Sequence, residues 1–206
     1  GFDQTVPGGI AAAVYRAQQD ANAALRFTVK NAENLKIDTS LIFMGGSSAG
    51  AVTSLYTIYG SQEEWNQVIP ALESKLGLLN SSGNNLEQTF TIKAIFNNYG
   101  AVSPRVFSTG EELIPMISFH GELDKRVPID NSPETGFGSR ALHNMLNKRG
   151  VCNDFTIDPT GGHGVYHSDE GVIFSVGRAA CFFKSLFCDT CSNFFSTKTV
   201  SANCSN

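Results

Sequence analysis

Gly46-Ser47-Ser48-Ala49-Gly50 constrains this chain more than any other stretch, because of what flanks it. Before it, Leu41-Ile42-Phe43-Met44 is a short continuous apolar run bounded by Gly45-Gly46, the pattern of a parallel strand covered on both faces. After it, Ala51 to Tyr59 reads as a helix. The five residues match G-x-S-x-G, and a strand that feeds a helix through so tight a turn imposes a strained backbone on the central serine. Gly46 and Gly50 leave room for the turn because they lack a Cβ. Ser48 is then expected to project above the sheet, beside the Ala49 backbone N–H and the positive end of the helix dipole, where an oxyanion would be held. The competing reading is a glycine-rich connector in which Ser48 is only a helix N-cap.

A serine hydroxyl is a poor nucleophile until a base takes its proton, and the base needs a carboxylate to hold its tautomer. Four histidines compete for the role of base. His163 lies in Thr160-Gly161-Gly162-His163-Gly164, a loop that follows the strand predicted over Cys152 to Ile157, so it is the best candidate. His167 is the runner-up, His143 reads as a surface position within a helix, and His120, at a strand end, reads as a residue for packing or loop hydrogen bonding. The carboxylate should come from a loop at the same sheet edge, and Phe119-His120-Gly121-Glu122-Leu123-Asp124 supplies one. Asp124 is favoured, with Glu122, Asp130, Asp158 and Asp169 as alternatives. The order Ser48, Asp124, His163 places each residue after a successive parallel strand.

The rest of the chain agrees with such a layout. Ile10, Val14, Ala17, Ala21, Ala24, Leu25 and Thr28 recur at helical spacing after Pro7-Gly8-Gly9, and predict an amphipathic helix that ends by Asn31 to Lys36. One or two helices are expected over Glu63 to Leu79, strands over Ile92 to Phe96 and Met116 to Phe119, and helices over Ser139 to Arg149 and Val172 to Phe187. Strands alternating with helices at these lengths predict an α/β fold with a mostly parallel sheet and flanking helices. Residues 1–187 form the expected core, residues 61–88 a lid, and residues 188–206 a tail rich in Cys, Ser and Asn.

With 206 residues, 41% of them hydrophobic, the chain can bury one substantial core. A net charge of −4 and the absence of any Lys or Arg block argue against nucleic acid or an anionic membrane as partner, and favour a small molecule. The most apolar stretch, Gly171 to Cys188, is broken by Arg178 and Lys184 and does not read as a membrane span. No basic-then-apolar leader opens the chain as given. Four of five cysteines (Cys181, Cys188, Cys191, Cys204) crowd the C-terminal end. Disulfides stapling that end are the leading explanation, ahead of buried thiols; the Cys188-x-x-Cys191 pair closes a helical run rather than opening one, which disfavours a redox motif, and no His follows His167 to complete a zinc site. An odd count leaves at least one thiol unpaired, and the composition favours an exported protein, secreted or periplasmic.

These segments resemble the α/β-hydrolase superfamily, and within it the secreted bacterial carboxylesterases and lipases. The likeness is carried by Arg16 to Phe27 as the helix before the nucleophile strand, Gly46 to Gly50 as the elbow, His120 to Pro128 (H-G-x-x-D-x-x-V-P) as the acid loop, and Gly162-His163-Gly164 as the histidine loop. The resemblance implies Asp124 as the acid and hydrolysis of carboxylic esters through an acyl-enzyme, with no metal or organic cofactor. A peptidase on the same fold uses identical chemistry, and a binding or assembly module could keep the three residues without turnover. The family's opening strands and its H-G-G-G-type oxyanion loop have no counterpart in Gly1 to Gly9. The nucleophile strand is therefore expected to expose an edge, and the chain to be the C-terminal part of a longer protein or to pair with a partner.

Overall fold

The computed structural model describes residues 9–107, 113–200 and 204. Pro7-Gly8, and the stretch before Gly9 in which no oxyanion loop was expected, lie outside the described residues. The chain runs through α1 (Ile10–Lys30), the single turn α2 (Ala32–Leu35), β1 (Ile42–Ser47) and α3 (Ala49–Tyr59). Two short helices, α4 (Gln62–Val68) and α5 (Ala71–Leu76), precede β2 (Ile92–Asn98), the turn α6 (Pro104–Phe107) and β3 (Met116–Gly121). A small hairpin, β4 (Asn131–Ser132) with β5 (Gly136–Phe137), leads to α7 (Ser139–Lys148), β6 (Asn153–Asp158), α8 (Asp169–Phe187) and β7 (Phe194–Ser196).

The five-stranded sheet has the order β1-β2-β3-β6-β7, every neighbouring pair parallel. Period-two alternation sends side chains to two layers. Ile95 and Met116 pack with Leu55 of α3 and with Leu142 and Leu146 of α7, whereas Ala94, Ile117 and Phe119 meet Ala179 and Phe182 of α8. Leu55, Leu142 and Phe119 are fully buried, and each contributes about 1.5–3 kcal/mol by leaving water. Because all strands are parallel, the turns after β1, β2, β3 and β6 emerge at one edge.

Several expectations are corrected. Leu41 to Met44 does not form a strand covered on both faces: β1 is an edge strand of the described sheet, with Gly45 and Ser47 exposed and Phe43 and Met44 half-buried. On α1 the apolar stripe is not the buried one. Ile10 and Ala24 are exposed and the rest of the stripe is only half-buried, while Tyr15, Gln18, Gln19, Asn22 and Arg26 are buried, because they satisfy the backbone of the segment that follows α3. Gln18 donates to Gly60 O and accepts from the Trp65 indole N–H; Tyr15 OH donates to Gly77 O, Gln19 to Leu76 O and Arg26 to Ser82 O.

Those bonds decide the place of residues 61–88. A capping box between Ser61 and Glu64 starts α4, and Trp65, Leu72 and Leu79 pack against Ala12 and Tyr15. The segment leaves from the end of α3 opposite Ser48, about 16 Å along the helix, and docks on α1. There it buttresses the helical layer. Within the tail, Phe194–Ser196 form β7, which joins the sheet beside β6. Disulfides Cys152–Cys191 and Cys181–Cys204 tie it to the start of β6 and to α8, and Cys188 is an exposed free thiol. Among the described residues no helix is long and apolar enough to cross a membrane.

Candidate active site

Ser48 sits between the last residue of β1 and the first of α3 with φ 54° and ψ −118°, a conformation rarely adopted by residues with a Cβ and one that costs about 1–3 kcal/mol. The surroundings impose it. Ser48 N–H donates to Asn98 O at 2.9 Å, and Ser48 O accepts from Val52 N–H at 2.9 Å, so the residue is pinned to β2 on one side and to α3 on the other. A Cβ on Gly46 would lie 2.6 Å from the Gly50 carbonyl carbon, which is why the turn needs glycine there. The same argument does not extend to Gly50, whose Cβ would meet nothing within 4 Å. Ala49 opens α3, where the first-turn N–H groups have no intrahelical acceptor and point toward the Ser48 side.

The structure brings Ser48, His163 and Asp124 together. Ser48 Oγ lies 2.8 Å from His163 Nε2, and His163 Nδ1 lies 2.8 Å from Asp124 Oδ2. The two loops that carry the histidine and the acid touch at Gly121, where any Cβ would strike the carbonyl oxygens of Gly161 and Gly162, and Leu123 N–H donates to Gly161 O at 2.9 Å. The imidazole is partly open, its side chain 21% exposed, whereas the Asp124 side chain is fully buried.

Burial would push the Asp124 carboxyl up, but hydrogen bonds from Val127 N–H, His163 and Arg126 N–H outweigh it and hold the pKa below the usual carboxylate value. Arg126 and Val127 N–H both donate to Oδ1, at 2.8 and 3.0 Å. The ionised Oδ2 can only accept, so His163 carries its proton on Nδ1 and presents a bare Nε2 to the serine hydroxyl.

His120 belongs to this site, as sequence reasoning did not foresee. Its Nε2 is 2.8 Å from Val127 O and 3.3 Å from Asp124 Oδ2, both acceptors, so Nε2 bears the hydrogen and Nδ1 accepts from Ser139 Oγ at 2.7 Å. Ser139 Oγ in turn accepts from Asn97 Nδ2 at 3.1 Å, and Asn97 Oδ1 accepts from Gly100 N–H at 3.1 Å. Burial pushes the His120 pKa down, against its contacts with Val127 O and Asp124, and favours the neutral ring. Tyr99, also unforeseen, packs its ring 4.9 Å from that of His163.

The alternatives lie elsewhere. Glu122 and Asp130 pair with Arg140, Asp158 accepts from Thr160 N–H within its own loop, and Asp169 begins α8. His143 is not a surface residue but is half-buried between Phe155 and Phe195, and its pKa is pushed down by burial. Exposed His167 bonds the Tyr99 hydroxyl. Among the described residues, no group of three or more His, Cys, Asp or Glu is placed to hold a metal ion.

A parallel sheet with helices on both faces and a strained serine at its C-terminal edge is the α/β-hydrolase fold. Residues 10–109, just under half of the chain, match the family model described as BD-FAE, an esterase-type α/β-hydrolase family. Of three similar solved structures, two are esterases by title and one is a bifunctional hydrolase. The chain is 17% identical to a thermophilic esterase from the Planctomycetes species Thermogutta terrifontis, with a TM-score of 0.58 over 85% of this chain and 65% of that one. It is also 17% identical to an acetyl ester-xyloside bifunctional hydrolase from Caldicellulosiruptor lactoaceticus, with a TM-score of 0.53 over 85% and 66%. A truncated carbohydrate esterase from gut microbiota is 20% identical, with a TM-score of 0.51 over 71% and 61%. The chain thus spans less than two thirds of the length of each of these three. No curated protein sequence matches it.

Proposed function

We infer that the chain hydrolyses carboxylic esters of small molecules, with Ser48 as nucleophile, His163 as general base and acid, and Asp124 as the group that orients and charge-balances the imidazole. The observation that carries this reading is the unbroken path of two 2.8 Å hydrogen bonds from Ser48 Oγ through His163 to Asp124 Oδ2. In the first half-reaction Ser48 Oγ bonds to the ester carbonyl carbon while its proton moves to His163 Nε2. The negative charge on the carbonyl oxygen falls at the start of α3, where Ala49 N–H and the helix dipole stabilise it. His163 then gives its proton to the departing alkoxide, the carbon–oxygen bond breaks, and an acyl-serine remains. Water repeats the sequence and releases the acid.

A fluorophosphonate probe on the natural full-length protein should modify Ser48, and turnover of p-nitrophenyl acetate should fall about a millionfold in Ser48→Ala. Labelling at another residue, or retained activity in that variant, excludes the assignment. Acetylated xylosides belong in the assay beside aryl esters, since one of the similar structures is titled an acetyl ester-xyloside hydrolase. Two disulfides accord with an exported protein, which we propose as its location.

A further inference from the structure

The two hydrogen bonds that hold His163 are made at its two ring nitrogens, whose lone pair and N–H lie in the plane of the ring. They fix the imidazole within that plane but leave tilting about the Nδ1–Nε2 line weakly opposed. Solvent is on one side, since the side chain is 21% exposed. A third contact, off that line, is needed to hold Nε2 on the serine hydroxyl.

Tyr99 makes that contact. Its ring centroid is 4.9 Å from that of His163, with the planes at 70°. The tyrosine is itself immobile, being 1% exposed, and its N–H donates to Phe119 O at 2.8 Å. Its φ of 44° is strained for a tyrosine, and the turn is closed from both sides by Asn97 Oδ1 accepting from Gly100 N–H. Beyond the ring, the Tyr99 hydroxyl hydrogen-bonds His167 Nε2, four residues after His163 in the same loop. Gly164, with φ 88°, turns the chain so that the His167 ring lies over it, near enough that a Cβ there would be 3.6 Å away.

We propose that Tyr99 is a positioning residue for His163, its ring bracing the imidazole and its hydroxyl locking the histidine loop to the end of β2 through His167. The proposal rests on the serine-hydrolase reading for its kinetic consequences only. Losing the hydroxyl contact loosens the loop, and losing the ring frees the imidazole to tilt. Both act on the proton-transfer geometry and leave ground-state binding of ester alone.

The test is a double-variant cycle in the natural full-length protein. Tyr99→Phe and His167→Ala should each lower kcat for p-nitrophenyl acetate about fivefold with KM unchanged, as expected for one hydrogen bond. The double variant should be no slower than either single one, because both remove the same bond. His167→Gln, whose amide can both donate and accept near the Nε2 position, should recover kcat. Exposed His167 tolerates these changes without loss of fold, so the cycle does not depend on the buried tyrosine alone. The far-downfield Nδ1–H proton of His163 should exchange faster in both single variants, a readout that needs no turnover. If the wild-type protein cleaves no ester, the serine-hydrolase reading fails by itself, and this resonance still decides the bracing. Unchanged kcat together with an unchanged His163 resonance in Tyr99→Phe and His167→Ala overturns the proposal, as do purely additive losses.

Discussion

Replacing Asp124 by Asn probes the relay at a point where the structure dictates the orientation of the new amide. Oδ1 receives two backbone N–H groups, from Arg126 at 2.8 Å and Val127 at 3.0 Å. Only the carbonyl oxygen of the amide can accept both, so the NH2 must take the Oδ2 position, facing His163 Nδ1. It then donates to Nδ1, and the imidazole moves its own proton to Nε2. That nitrogen can no longer take a proton from Ser48. The geometry survives while the tautomer is wrong, and such an exchange costs about 10⁴ in kcat, or about 5.5 kcal/mol of transition-state stabilisation. The NH2 also faces the Nε2–H of His120, at the position now 3.3 Å away, so donor opposes donor and stability should fall by about 1–3 kcal/mol. Ester hydrolysis by Asp124→Asn, measured at neutral pH well below its unfolding temperature, is therefore expected to be about 10⁴-fold slower than wild type. Activity within tenfold of wild type would show that Asp124 does not set the His163 tautomer, and the relay as drawn would be wrong.

Three further outcomes follow from other parts of the molecule. Gly46→Ala places a methyl 2.6 Å from the backbone of Gly50, which cannot yield, so the turn must open; fluorophosphonate labelling of Ser48 should slow by roughly a hundredfold, and an unchanged rate would refute the packing argument. Cys191→Ser removes a link between residues 39 apart, worth about 4 kcal/mol by chain entropy, so the melting temperature should drop by on the order of 10 °C; a drop of only a degree or two would show that β7 is held without the disulfide. The Asp154 carboxyl is pushed up to about 6 by burial, against the opposing pull of Arg178. Its folded pKa exceeds the unfolded one, so its contribution is full below about pH 4 and is lost as pH rises through about 6, a span of about 3 kcal/mol. Asp154→Asn should flatten that part of the stability profile in urea unfolding at pH 4 and 7; identical pH dependence in the two proteins would count against it.

How much of this was legible in the sequence varied with the range of the interactions involved. The elbow was legible because a strand, a glycine turn and a helix contiguous in the chain determine its geometry locally, down to the need for glycine at position 46. The positions of Asp124 and His163 at one edge followed from counting parallel strands. The buried face of α1 was not legible. Hydropathy assigns Gln18, Gln19, Asn22 and Arg26 to solvent, yet they are covered because the carbonyls and side chains of residues 60–84 need donors. The docking place of residues 61–88 was hidden for the same reason, since only those bonds set the segment on α1. His120 read as a packing or loop hydrogen-bonding residue, and its bond to Val127 O fits that reading, but its approach to Asp124 is set by the curl of the acid loop.

By itself the sequence determined the periodicities, the turn chemistry and the strand order in time, because these depend on residues within one or two turns of each other. Tertiary structure alone decided which polar side chains are buried, and that an aromatic residue after β2 would meet an imidazole 64 positions later. The physical reason is that burial and hydrogen-bond partnership belong to pairs of surfaces, and no single segment specifies the surface it will face.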